Sequence, residues 1–117
     1  MQSYASTRLA GNIAIVDLGG AITSGETASL LRSKIKELTA AGHKYALLNL
    51  RDVTYVDSAG MGEMVAAFTT LRNLGGDLKL ANPQERVTYL LRVTKLTTIF
   101  EIFTDESAAL QRFGSVP

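Results

Sequence analysis

The sequence predicts an α/β protein with a small, mostly parallel, mixed β-sheet and about four helices. Short apolar runs rich in β-branched residues alternate with longer segments in which apolar residues recur every three or four positions. This alternation is typical of strands joined by crossover helices. The predicted order of elements is β(β)αβαβαβα. We expect residues 1–117 to form one domain, because this length suits a single hydrophobic core.

The strand predictions rest on β-branched and apolar composition. Residues 1–6 are polar, and we expect them to fray. The pair Gly19-Gly20 should separate the first strand, which we expect antiparallel at an edge, from a short second strand. The third strand is almost continuously apolar, so both its faces should be covered. Strands are expected at 12–18, 21–22, 45–50, 78–81 and 98–103.

Four segments have helical periodicity. The first begins with a capping-box pattern in Thr23 and Glu26 and should stop at Gly42. The second follows Asp57, the third opens around Pro83, which suits a first helical turn, and the fourth covers about 104–113. The predicted inward faces are Ala28, Leu31, Ile35 and Leu38; Met61, Met64, Val65, Phe68 and Leu71; Val87, Leu90, Leu91 and Thr94; and Ala109, Leu110 and Phe113.

Composition limits the kind of function. The net charge of +1 gives no reason to expect binding to nucleic acid or to a membrane surface. No apolar run approaches the roughly 18 residues of a membrane span, and no signal-peptide pattern is visible. The absence of cysteine excludes disulfides, thiolate catalysis and cysteine-bound metals, and His43 is the one histidine. We expect a cytoplasmic protein with no cofactor and no metal.

The stretch from 47 to 68 is the centre of the functional prediction. It begins as a buried strand, passes through a short turn and continues as a helix after Asp57 and Ser58. Aspartate and serine are favoured before a helix, because their oxygens accept the first free backbone N–H groups. We therefore expect an exposed Ser58 hydroxyl at a place that tolerates a phosphoryl group. Gly60 and Gly62 should leave the backbone open to a partner.

This stretch also resembles the signature of the STAS domain, found in sulphate transporters and bacterial anti-sigma factor antagonists. The family pattern is an apolar strand, a short turn, an aromatic or apolar pair, and then Asp-Ser followed by small and glycine residues at fixed spacing. The matching residues are Leu47-Leu48-Asn49-Leu50, Val53, Tyr55-Val56 and Asp57-Ser58-Ala59-Gly60-Met61-Gly62. The order of predicted strands and helices is similar to the STAS fold as well.

The resemblance implies a binding switch. In anti-sigma factor antagonists the matching serine, here Ser58, is phosphorylated by the anti-sigma factor, which is itself a serine kinase. The unphosphorylated antagonist binds that partner and frees the sigma factor, the phosphorylated form is released, and a serine phosphatase resets the serine. The partner-binding residues predicted in this way are Thr23, Ser24, Asp57, Ser58, Ala59, Gly60, Met61 and Gly62.

Two positions depart from the family pattern. Many relatives have aspartate where this chain has Thr23, in a loop that the family places beside the serine. Thr23 carries no charge, so the departure bears on which partner is bound and whether that partner is a kinase. Ala59 stands where many relatives have a second hydroxyl residue, which leaves Ser58 as the phosphorylation candidate of the motif.

Two alternatives belong to other functional classes. One is a non-enzymatic subunit of a stress-signalling or transporter-associated assembly, in which the serine is never modified. The other is an enzyme. A serine hydrolase would need a Gly-x-Ser-x-Gly turn and a histidine base, but Val56-Asp57 precedes Ser58 and His43 is expected at the far end of the strand. We therefore predict a protein that is not an enzyme.

Overall fold

The structure is a computed structural model that describes residues 3–113 of the chain. Strands and helices alternate along almost the whole of this part. The strands are Tyr4–Ala10 (β1), Ile13–Ile22 (β2), Tyr45–Val56 (β3), Asp77–Ala81 (β4) and Ile102–Phe103 (β5). The helices are Glu26–Ala40 (α1), Ser58–Asn73 (α2), Glu85–Val93 (α3) and Glu106–Arg112 (α4), with a 3₁₀ turn at Leu96–Thr98.

The five strands form one mixed sheet in the order β1-β2-β3-β4-β5. β1 pairs antiparallel with β2, and the remaining neighbours are parallel. Crossover helices join the parallel strands, because such strands cannot be joined by a tight turn. The predicted α/β class, with a mostly parallel mixed sheet and four helices, is confirmed.

Helices cover both faces of the sheet, but unequally. The larger core joins α1, α2 and α3 to one face, and its fully buried members include Leu31, Leu48, Met64 and Leu91. On the opposite face the short helix α4 covers a smaller apolar cluster. The members of that cluster are Ile13, Ile15, Leu47, Ala81 and Ala109, with Ala10, Tyr45, Phe103, Leu110 and Phe113 packed at its edge.

The N-terminal region differs from the prediction. Residues 1–2 lie outside the described residues, but Tyr4 to Ser6 belong to β1 and do not fray. β1 is thus the antiparallel edge strand. The sequence analysis predicted the strand at 12–18, which corresponds to β2, for that position. Gly19-Gly20 does not break β2, which runs on to Ile22 with register shifts against β3 on either side of the pair. Pairing with neighbours on both sides outweighs the low strand propensity of glycine.

β3 and β5 also differ from the predicted strands. β3 continues through the expected turn after Leu50 and reaches Val56, since β2 pairs with it as far as Ile22↔Val56. Asn49 therefore lies within the strand instead of at its end, where its Nδ2 donates to Asp17 Oδ1 at 2.7 Å. β5 keeps only two residues of the predicted 98–103 strand, because the 3₁₀ turn occupies the start of that segment.

Helix ends follow the prediction at some positions and not at others. Gly42 has φ +92° and donates to Thr39 O, and His43 N–H donates to Leu38 O, which is a Schellman stop for α1. Pro83 precedes α3, whose N-cap is Gln84, so it does not lie in the first turn. Thr94, predicted to face inward, is exposed beyond the end of α3.

Candidate functional site

The candidate site lies at the carboxyl ends of β2 and β3. These strands are parallel neighbours that end side by side at Ile22 and Val56. The chain leaves β2 through the loop 23–25 and leaves β3 through Asp57, so both segments emerge at the same edge of the sheet. The carboxyl ends of parallel strands are the usual place for binding residues in open α/β sheets.

The Asp57 carboxylate holds the two segments together. Its Oδ1 accepts a hydrogen bond from the N–H of Gly60 at 2.8 Å, which caps α2. Its Oδ2 accepts from the N–H of Ser24 at 3.1 Å, in the loop after β2. The backbone N–H of Asp57 also donates to the carbonyl of Ile22 at 3.1 Å. One side chain therefore fixes both the start of α2 and the neighbouring loop.

These contacts also set the charge state of Asp57. The N–H groups of Gly60 and Ser24 stabilise the ionised form, and the pKa of the Asp57 carboxyl lies below its ordinary value for that reason. The carboxylate is consequently negative near neutral pH. Both of its oxygens accept hydrogen bonds from backbone N–H groups.

Ser58 is the first residue of α2, and its side chain is exposed. The predicted exposure of this residue at a helix N-terminus is confirmed. The position combines an accessible hydroxyl with the positive end of a 16-residue helix. The hydroxyl therefore lies outside the buried core.

The two glycines of the motif have different roles. Gly60 is buried against β2, where an added Cβ would clash with the carbonyl oxygen of Ile22. The expectation that Gly60 exposes its backbone to a partner is therefore wrong, since its missing side chain serves internal packing. Gly62 is exposed, and a Cβ there would meet no atom within 4 Å. Ala59 and Met61 are half-buried, and Met61 packs against the main core.

Loop 23–25 contributes an exposed Ser24 and a half-buried Thr23 to the same edge of the sheet. The predicted capping box of Thr23 and Glu26 does not form. The N-cap of α1 is Gly25, at φ +93° and without a side-chain cap hydrogen bond. The Thr23 backbone carbonyl instead accepts from the N–H of Ala28 at 3.1 Å. Glycine takes the cap position because this turn needs a positive φ.

Two further contacts join β3 and α2 to neighbouring helices, and the sequence analysis did not anticipate them. The Arg86 guanidinium lies 5.1 Å from the centre of the Tyr55 ring, which joins α3 to the end of β3. Arg32 of α1 and Glu63 of α2 form an ion pair with Nε to Oε2 at 2.7 Å. Neither pairing follows a local spacing rule, because the partners are about 30 residues apart in the chain.

Comparison of the sequence and comparison of the fold with known proteins lead to the same protein family. The profile of the STAS domain family matches residues 4–109. The chain belongs to the STAS domain family. It is 35% identical over 85 residues to the anti-sigma-B factor antagonist of Bacillus subtilis, covering 73% of this chain and 77% of that protein.

Solved structures show the same STAS fold. The Thermotoga maritima protein tm1081 superposes with a TM-score of 0.86 at 24% identity, covering 93% of each chain. The Bacillus cell fate determinant SpoIIAA in its phosphorylated form gives a TM-score of 0.72 at 18% identity, covering 93% of this chain and 98% of that one. The predicted family resemblance is confirmed.

Other kinds of site have little support in the described part of this STAS domain. Residues 3–113 hold no group of three or more metal-ligating side chains. Of the helices in that range, none has both the length and the apolar character that crossing a bilayer requires. A cavity of about 630 Å³ lies between α3 and β5, and none of its lining residues belongs to the Ser58 site.

Proposed function

We propose that this STAS domain is an anti-sigma factor antagonist controlled by phosphorylation of Ser58. Unphosphorylated, it binds an anti-sigma factor through Thr23, Ser24 and the 57–62 motif. That partner acts as a serine kinase on Ser58, phosphorylation releases the complex, and a serine phosphatase restores binding. The protein thus regulates transcription indirectly and works where sigma factors work, in the cytoplasm. The observation that carries the proposal is the exposed Ser58 beside an Asp57 carboxylate that is already ionised and bound.

The fold supports this proposal because it can tolerate the modification. A phosphoryl group adds about 1.5 to 2 negative charges near pH 7. At the N-terminus of α2 the helix dipole stabilises a negative group by roughly 0.3 to 1 kcal/mol. Ser58 is exposed, so the phosphoryl group displaces no core side chain. We expect the phosphorylated protein to keep its fold.

A partner protein that packs against Ser58 would not tolerate a phosphoryl group there. A pair of like charges at about 4 Å costs on the order of 4 kcal/mol at an effective dielectric of 20. This corresponds to roughly a thousandfold loss of affinity. Asp57 already places a negative charge at the site, so a phosphoryl group increases the local charge density. Loss of binding without unfolding is the expected consequence.

The descriptions of the relatives support the same proposal. The Bacillus subtilis relative is an antagonist of an anti-sigma factor. SpoIIAA has been solved both in an unphosphorylated and in a phosphorylated form. A protein of this fold therefore exists in both states, which is what the proposed switch requires of this chain.

A non-enzymatic scaffold without phospho-switching is the second candidate. The feature that favours it is Thr23, an uncharged residue in loop 23–25 at a position where the family resemblance leads us to expect aspartate. In either case Ser58 is not a catalytic nucleophile. His43 precedes β3 and Ser58 follows it, so the length of a 12-residue strand separates them. That separation is many times the roughly 3 Å over which a proton could be transferred directly.

The first experiment measures the intact mass of the protein after incubation with ATP, magnesium and a lysate of its own host. We expect one phosphoryl increment on the wild type and none on Ser58→Ala. The lysate must be shown to phosphorylate other proteins. If it does and the wild type gains no increment, the scaffold interpretation replaces the switch.

The second experiment measures affinity for the anti-sigma factor of the host. Ser58→Ala should bind constitutively, whereas Ser58→Asp should bind up to about a thousandfold more weakly and keep its circular dichroism spectrum. Ser107→Asp is the matched control, because Ser107 is also an exposed serine in the first turn of a helix, α4. Equal affinities of Ser58→Ala and Ser58→Asp would contradict the switch.

A further inference from the structure

The two edges of the sheet are very different. β5 contributes only two residues to one edge, whereas β1 contributes seven residues to the other. β1 pairs with β2 in an unbroken antiparallel register from Tyr4↔Gly19 to Ala10↔Ile13. On its outer side, an edge strand of this length presents a row of backbone N–H and C=O groups that can pair with another strand.

β1 lacks several of the devices that usually protect an edge. The strand has no proline, no lysine and no bulge. Its one charged residue, Arg8, lies over the sheet, where Nε donates to Asp17 Oδ2 at 2.7 Å and Nη2 donates to Glu106 Oε1 at 2.6 Å. The Tyr4 hydroxyl donates to Asp52 Oδ2 at 2.6 Å, so this side chain also crosses the sheet instead of shielding the edge.

We propose that β1 pairs with β1 of a second copy of this chain. The two strands would run antiparallel about a two-fold axis at Thr7 and join two five-stranded sheets into one of ten strands. Self-pairing is favoured because antiparallel pairing of identical strands closes with two-fold symmetry. With the axis at Thr7, Arg8 faces Ser6 of the second copy, so no like charges lie opposite each other.

Two side chains of β1 gain partners in this arrangement. Leu9 is 61% exposed, and it would lie opposite Ala5 of the second copy, a small residue that leaves room for it. The Thr7 Oγ1 is buried and has no hydrogen-bond partner among the described residues. At the axis the two Thr7 side chains face each other, and a rotation about χ1 that turns Oγ1 from the protein interior toward the seam would let the pair form a hydrogen bond.

The geometry leaves the Ser58 site free. β1 spans Ile13 to Gly19 of β2 and ends before Ile22, where the loop to Ser24 begins. A pair of seven-residue strands buries less than the roughly 1,200 Å² of a standard interface. The dimer is therefore weak and depends on concentration, and it presents two Ser58 sites to a partner. This inference does not rest on the proposed phosphorylation.

The first test follows self-association by analytical ultracentrifugation over about a hundredfold range of protein concentration. We expect the wild type to shift from monomer to dimer as concentration rises and Leu9→Lys to stay monomeric. Leu74→Lys is the matched control, because Leu74 is also an exposed leucine, 51% accessible at the end of α2. A wild type that stays monomeric throughout, or a dimer that survives Leu9→Lys, would overturn the proposal.

The second test uses the absence of cysteine from the natural sequence. Thr7→Cys should form a disulfide-linked dimer under mild oxidation, since directly opposed residues of an antiparallel pair lie within disulfide reach. Thr69→Cys, at an exposed position of α2, is the control for disulfides that form by random collision.

Hydrogen exchange on the unsubstituted protein gives a check that needs no mutation. Alternate backbone amides of β1 should exchange more slowly at high protein concentration. Equal crosslinking of the two variants, together with unchanged exchange, would refute the pairing.

Discussion

At the residue scale, Asp57 and Gly60 determine how α2 is placed against β2. Asp57 binds backbone N–H groups on both sides of the site, and Gly60 lets the helix touch the carbonyl of Ile22. Neither residue needs to contact a partner to be essential for the surface that presents Ser58. A substitution at either one therefore tests packing and capping before it tests binding.

Gly60→Ala and Gly62→Ala should have opposite effects on stability. A Cβ at Gly60 clashes with backbone, which cannot move aside cheaply, so we expect a loss of about 1 to 3 kcal/mol. At Gly62 a Cβ meets open space, and alanine in a helix should stabilise the protein by about 0.5 to 1 kcal/mol. Urea denaturation of both variants measures the difference, and equal changes would contradict the packing role of Gly60.

Asp57 should make stability depend on acid pH. Its folded-state pKa lies below the ordinary value because of the N–H groups of Gly60 and Ser24. Its contribution is therefore complete above the unfolded pKa of about 3.9 and is lost as the pH falls through the folded pKa. As the pH falls from 6 to 2, the difference in the free energy of unfolding between wild type and Asp57→Asn should become smaller. A gap that stays constant in urea denaturation across this range would count against these hydrogen bonds.

At the scale of the elements, β4 carries a buried charge. Lys79 is 4% exposed, and its Nζ forms ion pairs with Asp77 at 3.1 Å and with Glu101. The Phe113 ring lies 5.2 Å from the same Nζ. Both carboxylates have a second cation, Arg112 for Glu101 and Arg72 for Asp77. Removing the lysine charge therefore leaves neither carboxylate without a partner.

Lys79→Met should change the free energy of unfolding by less than about 1 kcal/mol. The cost of burying the ammonium group roughly balances its attraction to Asp77 and Glu101, and methionine fills a similar volume. At the next position Leu80→Ala removes a fully buried side chain and should cost about 2 to 5 kcal/mol. Denaturant titration compares the two variants. A larger loss for Lys79→Met than for Leu80→Ala would show that the ion pairs dominate this strand.

At the scale of the whole molecule, the two faces of the sheet are shielded from water by different numbers of helices. Three helices pack on the main core, and among the helices of residues 3–113 only α4 covers Ile15 and Leu47 on the opposite face. A parallel sheet is stable only when apolar residues on both faces are shielded from water. The contact of α4 should therefore matter more than the seven-residue length of the helix suggests.

Ala109→Asp should destabilise the protein by more than about 3 kcal/mol. Ala109 is fully buried on the inner face of α4, and an unpaired carboxylate there has no compensating partner. Ala108→Asp, one position earlier, is the control, because Ala108 is exposed and lies near a helix N-terminus that favours acidic residues. Thermal unfolding should separate the two variants clearly, and similar melting temperatures would show that α4 is dispensable.

By itself the sequence determined the α/β class, the alternation of helices and strands, the Schellman stop at Gly42 and the placement of Ser58 at the start of α2. These features depend on periodicity and on side chains within a few residues of one another. Only the tertiary structure decided that β1 pairs at the edge, that β3 runs unbroken to Val56 and that Ser24 binds Asp57. Each of these depends on hydrogen bonds between residues far apart in the chain, and local propensity carries no information about such partners.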